Sequence, residues 1–270
     1  MAQENPEKYN IDQNNTYLVT IGRMNPPHSG HLKIIQTMLD YANENNINPE
    51  NINVILSHTQ DSKKNPLFCE KEKKEILRLM IHYKFGEIPI NIMCMEPGRG
   101  HPILTRIFDI FEKKNNDKQK KIILFIGEDR AKSYKFIEKS IQPHIFETVV
   151  LNRDEDSVSA TKMRQYALEN TDESFDEYLK SALNIKEEEI EEFKSNPENE
   201  EIIEIIRMVF NRVGRVLLEQ EQKQLTRKRK NVSSGGKKRK TKKRKTRKRK
   251  TRKRKTRKRK TRKRKTKKRK

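Results

Sequence analysis

The sequence predicts an α/β fold, a Rossmann-like doubly wound parallel sheet of five strands, followed by a C-terminal helical extension and a disordered basic tail. Three observations support this prediction. Five short apolar runs are rich in β-prone residues, amphipathic helical patterns lie between them, and the strand signal stops after Asn170. Strands that are apolar on both faces and alternate with helices are typical of parallel sheets, and right-handed crossovers then cover both faces of the sheet.

Each strand is predicted from a run short enough to be a buried strand. A glycine, Gly22, directly follows the first run. The five runs are Tyr17–Ile21, Ile52–Leu56, Ile88–Met93, Ile122–Ile126 and Thr148–Leu151.

The helices are predicted from apolar residues that recur on one face at helical spacing. Residues 174–183 and 198–225 also look helical, with a break at Asn196-Pro197. The apolar stripe from Ile202 to Leu217 indicates a packing face or, alternatively, an oligomer contact. Three helices are predicted between the strands, each with one apolar face. These faces consist of Leu32, Ile35, Met38, Leu39 and Ala42; Ile76, Leu77 and Met80; and Ile103, Ile107, Ile110 and Phe111.

Charge divides the chain sharply. Residues 226–270 carry 32 of the 63 lysines and arginines and no acid, so residues 1–225 have a net charge of −7. A segment so charged and so poor in apolar residues cannot bury a core. We therefore predict a disordered N-terminus at 1–15, an α/β domain at 16–170, the helical extension at 171–225 and the disordered tail at 226–270.

The tail repeats a five-residue Thr-(Arg/Lys)-Lys-Arg-Lys unit from Thr241 onward. So many cations are expected to bind polyanions with a strong salt dependence. The tail has no aromatic residue for base stacking, which favours non-specific nucleic-acid binding, although nuclear targeting fits equally well. It resembles Lys/Arg-repeat tails of giant DNA viruses, which adds a virion-associated location to the alternatives.

The rest of the composition predicts a soluble, intracellular protein. The N-terminus lacks the pattern of a signal peptide, and no apolar run approaches the length of a membrane span, so we expect no membrane contact. Cys69 and Cys94 have no metal-ligand spacing. We expect them to be ordinary thiols in a reducing compartment and predict no protein-held metal site.

The first motif is Gly22-Arg23-Met24-Asn25-Pro26-Pro27-His28-Ser29-Gly30-His31, between the first strand and the first helix. Ligands of open parallel sheets lie at the carboxyl ends of the strands. The glycines permit close approach of the backbone, and free amides at the start of the helix attract anions. The two histidines and Arg23 add hydrogen-bond donors for phosphate oxygens. This turn therefore predicts a phosphate-binding site.

The second motif is Ser159-Ala160-Thr161-Lys162-Met163-Arg164, after the last strand. Ser159 suits the N-cap of a helix, and Thr161 and Arg164 lie three residues apart on its first turn. A hydroxyl, a guanidinium and free amides together suit a triphosphate.

Together the two motifs resemble the signatures of the His-x-Gly-His nucleotidyltransferase superfamily, a His-x-Gly-His turn after the first strand and a Ser-x-Thr-x-x-Arg helix start after the last. Phe125–Arg130 is similar to the strand end at which adenylyltransferases hold base and ribose, through Gly127 and Asp129 here. Ser57–Leu67 resembles the second-strand loop of archaeal-type nicotinamide-mononucleotide adenylyltransferases, and is closer still to nucleotidyltransferases of large bacteriophages.

This resemblance implies the fold of the HUP-type nucleotidyltransferases over residues 16–170 and a specific reaction. An acceptor oxygen attacks the α-phosphorus of an NTP in line, and pyrophosphate leaves with Mg²⁺. By motif position, the catalytic residues are His28, His31 and Arg164. Those expected to bind the nucleotide are Gly22, Arg23, Gly30, Gly127, Asp129, Ser159, Thr161 and Lys162, and those expected to bind the acceptor are Ser57, Gln60 and Asn65.

Several alternatives stay open at this point. ATP is favoured over CTP, and the Gln60–Pro66 loop favours a pyridine mononucleotide, but Met24 and Leu67 stand where the archaeal-type enzymes usually have phenylalanine. A catalytically inactive scaffold that binds nucleic acid through its tail is the alternative function. A homo-oligomer formed through the 198–225 helix is a third interpretation.

Overall fold

A computed structural model describes residues 13–59, 65–96, 101–112, 118–152 and 158–228 of the 270-residue chain. Five strands form one sheet in the order β3-β2-β1-β4-β5, and every neighbouring pair is parallel. The strands are β1 (Thr16–Gly22), β2 (Ile52–Leu56), β3 (Asn91–Cys94), β4 (Lys121–Gly127) and β5 (Ile145–Leu151). The predicted doubly wound parallel sheet is confirmed. The third strand begins three residues later than predicted, and the fifth begins three residues earlier.

The helices cover both faces of this sheet. They are α1 (Ser29–Glu44), α2 (Lys74–Phe85), α3 (Pro102–Glu112), α4 (Phe136–Ser140), α5 (Ala160–Glu169), α6 (Asp172–Leu183) and α7 (Ile190–Ser195). A π-helix, Cys69–Lys73, leads directly into α2, and 3-10 turns occupy Gln13–Asn15, Pro49–Asn51, Glu128–Tyr134, Glu187–Glu189 and Pro197–Asn199.

The chain divides into two units, Met1–Leu218 and Glu219–Lys270. In the first unit, residues 200–218 form a helix that we call α8. In the second unit, residues 219–228 are helical, and residues 229–270 of the predicted disordered tail lie outside the described residues. In the described parts of the chain, no helix is both long enough and apolar enough to span a membrane.

Alternate residues of the central strands enter two different cores, because successive side chains of a strand point to opposite faces. Leu18 of β1 and Ile123 of β4 belong to the core beneath α1 and α2, whereas Val19 and Leu124 belong to the core beneath α3. Both faces are therefore buried, which is why these strands are continuous apolar runs in the sequence.

The helical extension packs into the same core as α1 and α2. Phe175 and Leu179 of α6 and Ile206 and Val213 of α8 are buried there. The stripe from Ile202 to Leu217 is thus a packing face within the chain, which confirms the first of its two interpretations.

The cysteine prediction is wrong. Cys69 and Cys94 form a disulfide with their Cα atoms 5.9 Å apart. The pairing could not be predicted from the sequence, because 25 residues separate the two cysteines. In the structure, the π-helix places Cys69 beside Cys94, the last residue of β3. The cysteines therefore give no support for a reducing compartment.

Candidate functional site

The two histidines of the first motif are built into the start of α1. His28 is the N-cap residue, and its Nδ1 accepts a hydrogen bond from the Gly30 amide at 3.2 Å. The Nδ1 atom of His31 accepts from the His28 amide at 3.1 Å, and the ring centroids are 3.8 Å apart. Because both Nδ1 atoms accept from backbone amides, each neutral ring carries its proton on Nε2. The turn therefore holds two imidazole Nε2–H donors side by side.

Gly30 packs closely against its neighbours in this turn. A Cβ atom at Gly30 would lie 3.0 Å from Cε1 of His28 and 3.6 Å from the carbonyl oxygen of Val158. The first contact is closer than ordinary van der Waals separation, so a larger residue would displace the His28 ring. The second contact places the histidine turn against the segment that precedes α5.

The second motif forms the capped start of α5. Ser159 is the N-cap residue, and its Oγ accepts from the Lys162 amide at 3.2 Å. Arg164 donates through one nitrogen to the Thr161 hydroxyl at 3.1 Å and through another to the Asn25 carbonyl at 2.9 Å. The hydrogen bond between Arg164 and Asn25 joins residues that are 139 positions apart in the sequence. The structure therefore brings the two motifs together at the carboxyl edge of the sheet.

The charges of this second motif lie at the surface. Ser159, Thr161 and Lys162 are exposed, and Arg164 is half-buried. A hydrogen bond with the Tyr166 side chain raises the pKa of Lys162. The exposed Lys162 ammonium lies beside a helix start and suits an anionic ligand.

Asn25 connects the histidine turn to the loop that follows β2. Its side-chain amide donates to the Leu67 carbonyl at 3.2 Å, and its amide oxygen accepts from the Leu67 backbone amide at 3.2 Å. Asn25 is 2% exposed, so both bonds are shielded from water. The loops after β1 and β2 are thus paired through one side chain.

The residues predicted to bind the acceptor lie around this pairing. Ser57 directly follows β2 and is half-buried, and its Oγ accepts from the Thr59 amide at 3.2 Å. Asn65 is buried two residues before Leu67. Gln60 lies outside the described residues.

The predicted base-binding segment is at the end of β4, next to β1 in the sheet. Gly127 is the last residue of β4 and caps the 3-10 turn that follows it. Asp129 belongs to that turn, but its side chain is not among those described. Gly22 ends β1, and Arg23, which follows it, is exposed.

Sequence reasoning missed Lys73. This residue ends the π-helix, is 0% exposed, and donates from Nζ to the Arg23 carbonyl at 3.2 Å and to the Ser57 carbonyl. Desolvation lowers the pKa of Lys73 to about 8. In the sequence it lies in the charged run Glu70–Glu75, which is typical of a solvated helix face, so no signal set it apart.

Among the described residues, no group of three or more His, Cys, Asp or Glu side chains could hold a metal ion. The site consists instead of imidazole and guanidinium donors, helix amides and a buried ammonium. Such groups favour an anionic ligand.

A family model described as cytidylyltransferase-like matches residues 19–249. A comparison with curated proteins gives no significant match. Among solved structures, similarity is found to a bifunctional NMN adenylyltransferase/ADP ribose pyrophosphatase from Francisella tularensis, with 16% identity and a TM-score of 0.46 over 70% of this chain and 52% of that one.

Two further similar structures are those of NadR protein. The complex with NR is 18% identical, with a TM-score of 0.40 over 58% of this chain and 42% of that one. The complex with NAD and AMP-PNP is 18% identical, with a TM-score of 0.39 over 61% of this chain and 46% of that one. The chain spans about half the length of these solved structures.

Proposed function

Because the chain belongs to the cytidylyltransferase-like family, we propose that it transfers a nucleotide monophosphate from an NTP to a small acceptor that bears a phosphate or hydroxyl group, and releases pyrophosphate. The family match also confirms the resemblance to the His-x-Gly-His nucleotidyltransferases at the level of the superfamily.

The observation that carries the proposal is the hydrogen bond from Arg164 to the Asn25 carbonyl. It brings the start of α5, with its hydroxyl and guanidinium, to the turn that holds the two histidines. One polyphosphate could then be contacted from both sides, by the Nε2–H groups of His28 and His31 and by Thr161 and Arg164.

The proposed reaction is the one that the resemblance to the nucleotidyltransferases implies, and these donors suit it. An acceptor oxygen attacks the α-phosphorus as the bond to the β-phosphate oxygen breaks, and a hydroxyl acceptor also loses its proton to solvent. The donors neutralise the charge that develops on the phosphoryl oxygens, so positioning and electrostatics supply the catalysis. Mg²⁺ enters bound to the NTP and leaves with pyrophosphate, and therefore counts as part of the substrate.

For the nucleotide and the acceptor, we propose ATP and a pyridine mononucleotide. The basis is the resemblance of the loop after β2 to that of the archaeal-type enzymes. The two departures from their pattern, Met24 and Leu67, are 2% and 0% exposed. These substitutions therefore change the packing beneath the site rather than its exposed surface, which keeps the pyridine mononucleotide as the leading acceptor.

The test is pyrophosphate release by the full chain with ATP or CTP and a panel of phosphate- and hydroxyl-bearing acceptors, including nicotinamide mononucleotide. His31→Ala removes one Nε2–H donor, and we expect kcat to fall about 100-fold or more while NTP affinity changes far less. His82→Ala is the matched control, since His82 is exposed near the end of α2.

Full activity of His31→Ala would exclude the proposed mechanism. If no acceptor yields pyrophosphate with the unmodified chain, the proposed function is wrong. Release with CTP alone would correct the nucleotide and leave the reaction type in place.

A further inference from the structure

Lys73 joins the loops that follow two neighbouring strands. Its ammonium donates to the Arg23 carbonyl after β1 and to the Ser57 carbonyl after β2. Arg23 and Ser57 are the first residues beyond β1 and β2, in the loops predicted to bind the NTP and the acceptor. A single side chain therefore bonds both sides of the candidate site from beneath.

The burial of this charge calls for an explanation. Removing an ammonium from water is costly, and fully buried lysines are rare unless paired with an anion. Both described partners of Lys73 are neutral carbonyls, and it forms no ion pair within the described part of the chain. Fold stability alone is a weak reason to place a cation there, because an apolar side chain avoids the desolvation cost.

The conformation of the turn supplies a reason. Met24 has a φ of +40°, in the left-handed region that side chains other than glycine rarely adopt. The Arg23 carbonyl that accepts from Lys73 belongs to the peptide plane whose rotation defines this φ. On the other side of Met24, Asn25 is held by Leu67 and by Arg164. Hydrogen bonds from the π-helix, α5 and the loop after β2 thus maintain a strained turn, a pattern that occurs at functional sites.

We propose that Lys73 is a positioning residue for nucleotidyl transfer, holding the Arg23–Met24 peptide against the loop that follows β2 and so setting the distance between the histidine turn and the residues predicted to bind the acceptor. This inference rests on the proposed function. Lys73 lies beneath the site and acts through the backbone, so it is expected to affect the geometry of the transition state more than the binding of NTP.

The test compares Lys73→Met and Lys73→Gln with Lys120→Met. Lys120 is also buried, 7% exposed, and its Nζ donates to the Phe111 carbonyl at 2.9 Å. It directly precedes β4, so it lies at the opposite edge of the sheet from the candidate site and is a matched control.

In the full chain, we expect Lys73→Met to lower kcat on the order of 10- to 100-fold with a smaller change in the KM for ATP, because misplacement of reacting groups has effects of this size. Lys73→Gln keeps an N–H donor and should recover part of the loss. Amide hydrogen exchange should become faster at His28 and Leu67, whose amides report on the turn. Lys120→Met should leave these two amides and kcat unchanged.

Unchanged kcat and unchanged exchange at His28 and Leu67 in Lys73→Met would overturn the inference, as would equal losses in Lys120→Met. If Lys73→Met does not fold, Lys73→Gln gives the same two readouts. If His31→Ala is inactive while both Lys73 variants behave like the unmodified chain, the inference fails and the proposed function stands. If the unmodified chain releases no pyrophosphate, the exchange comparison still decides whether Lys73 holds the turn.

Discussion

Lys73 should make the stability of the protein depend on pH in an unusual direction. Burial lowers its pKa from 10.5 to about 8 in the folded chain. Between these values the unfolded chain keeps the proton that the folded chain has lost, and stability rises with pH wherever the unfolded state binds more protons. The contribution of Lys73 to the free energy of unfolding should therefore increase from about pH 8 to 10.5.

Urea denaturation of the unmodified chain and of Lys73→Met at pH 7.5, 8.5 and 9.5 measures this contribution. We expect the difference in free energy of unfolding, unmodified chain minus variant, to grow with pH. Other titrating groups, including the tyrosines with raised pKa values, are shared by the two chains and cancel in the difference. A constant difference would show that Lys73 keeps its proton in the folded state.

At the scale of single residues, the sequence could identify those functional residues that lie within short local motifs. His28, His31, Thr161 and Arg164 belong to short segments whose chemistry is visible in the residue types alone. Nothing in the first motif sets Asn25 apart, because its role depends on Leu67, 42 residues away. Burial and long-range pairing arise only when the chain folds, so Lys73 and the partners of Asn25 could not be predicted.

At the scale of elements, the position of α5 depends on α8. A Cβ atom added to Gly214 of α8 would lie 2.2 Å from the Ala167 carbonyl oxygen of α5. This contact is with backbone, so relief requires one helix to move. Since Ser159 and Arg164 are positioned by α5, a shift of that helix would also displace the anion-binding groups.

We therefore expect Gly214→Ala to lower the free energy of unfolding by about 1–3 kcal/mol, the usual range for overpacking, and to lower kcat/KM as well. Gly86→Ala is the comparison, because Gly86 has a φ of +77° but open space around the added atom. It should destabilise through backbone strain and leave kcat unchanged. Urea denaturation and pyrophosphate release measure both quantities, and a fully stable, fully active Gly214→Ala would contradict the packing argument.

The elements themselves were largely predictable. The strands are apolar on both faces because Val19 and Leu18, like Leu124 and Ile123, enter opposite cores, and this leaves continuous apolar runs in the sequence. The π-helix Cys69–Lys73 and the disulfide that joins it to β3 could not be predicted from the sequence. A five-residue charged segment carries too little periodicity to indicate a π-helix, and the pairing of cysteines depends on tertiary geometry.

At the scale of the whole molecule, the charge of the chain is separated along the sequence. Residues 1–225 have a net charge of −7, whereas residues 226–270 carry 32 cations. An acidic body repels a polyanion, so any general affinity for nucleic acid must come from the tail. We propose that the tail binds nucleic acid without sequence preference, through phosphates alone, because it has no aromatic residue for stacking.

The prediction is that the full chain binds duplex DNA and single-stranded RNA of random sequence, and that a variant ending at Leu225 does not. The logarithm of the binding constant should fall linearly with the logarithm of the salt concentration, by about 0.9 per phosphate neutralised on duplex DNA. Filter-binding titrations at three salt concentrations measure this slope. Because the histidine turn and the start of α5 both precede residue 226, the shortened variant should keep its pyrophosphate release. Equal DNA binding by the two chains would place the nucleic-acid contact in the body and contradict the electrostatic argument.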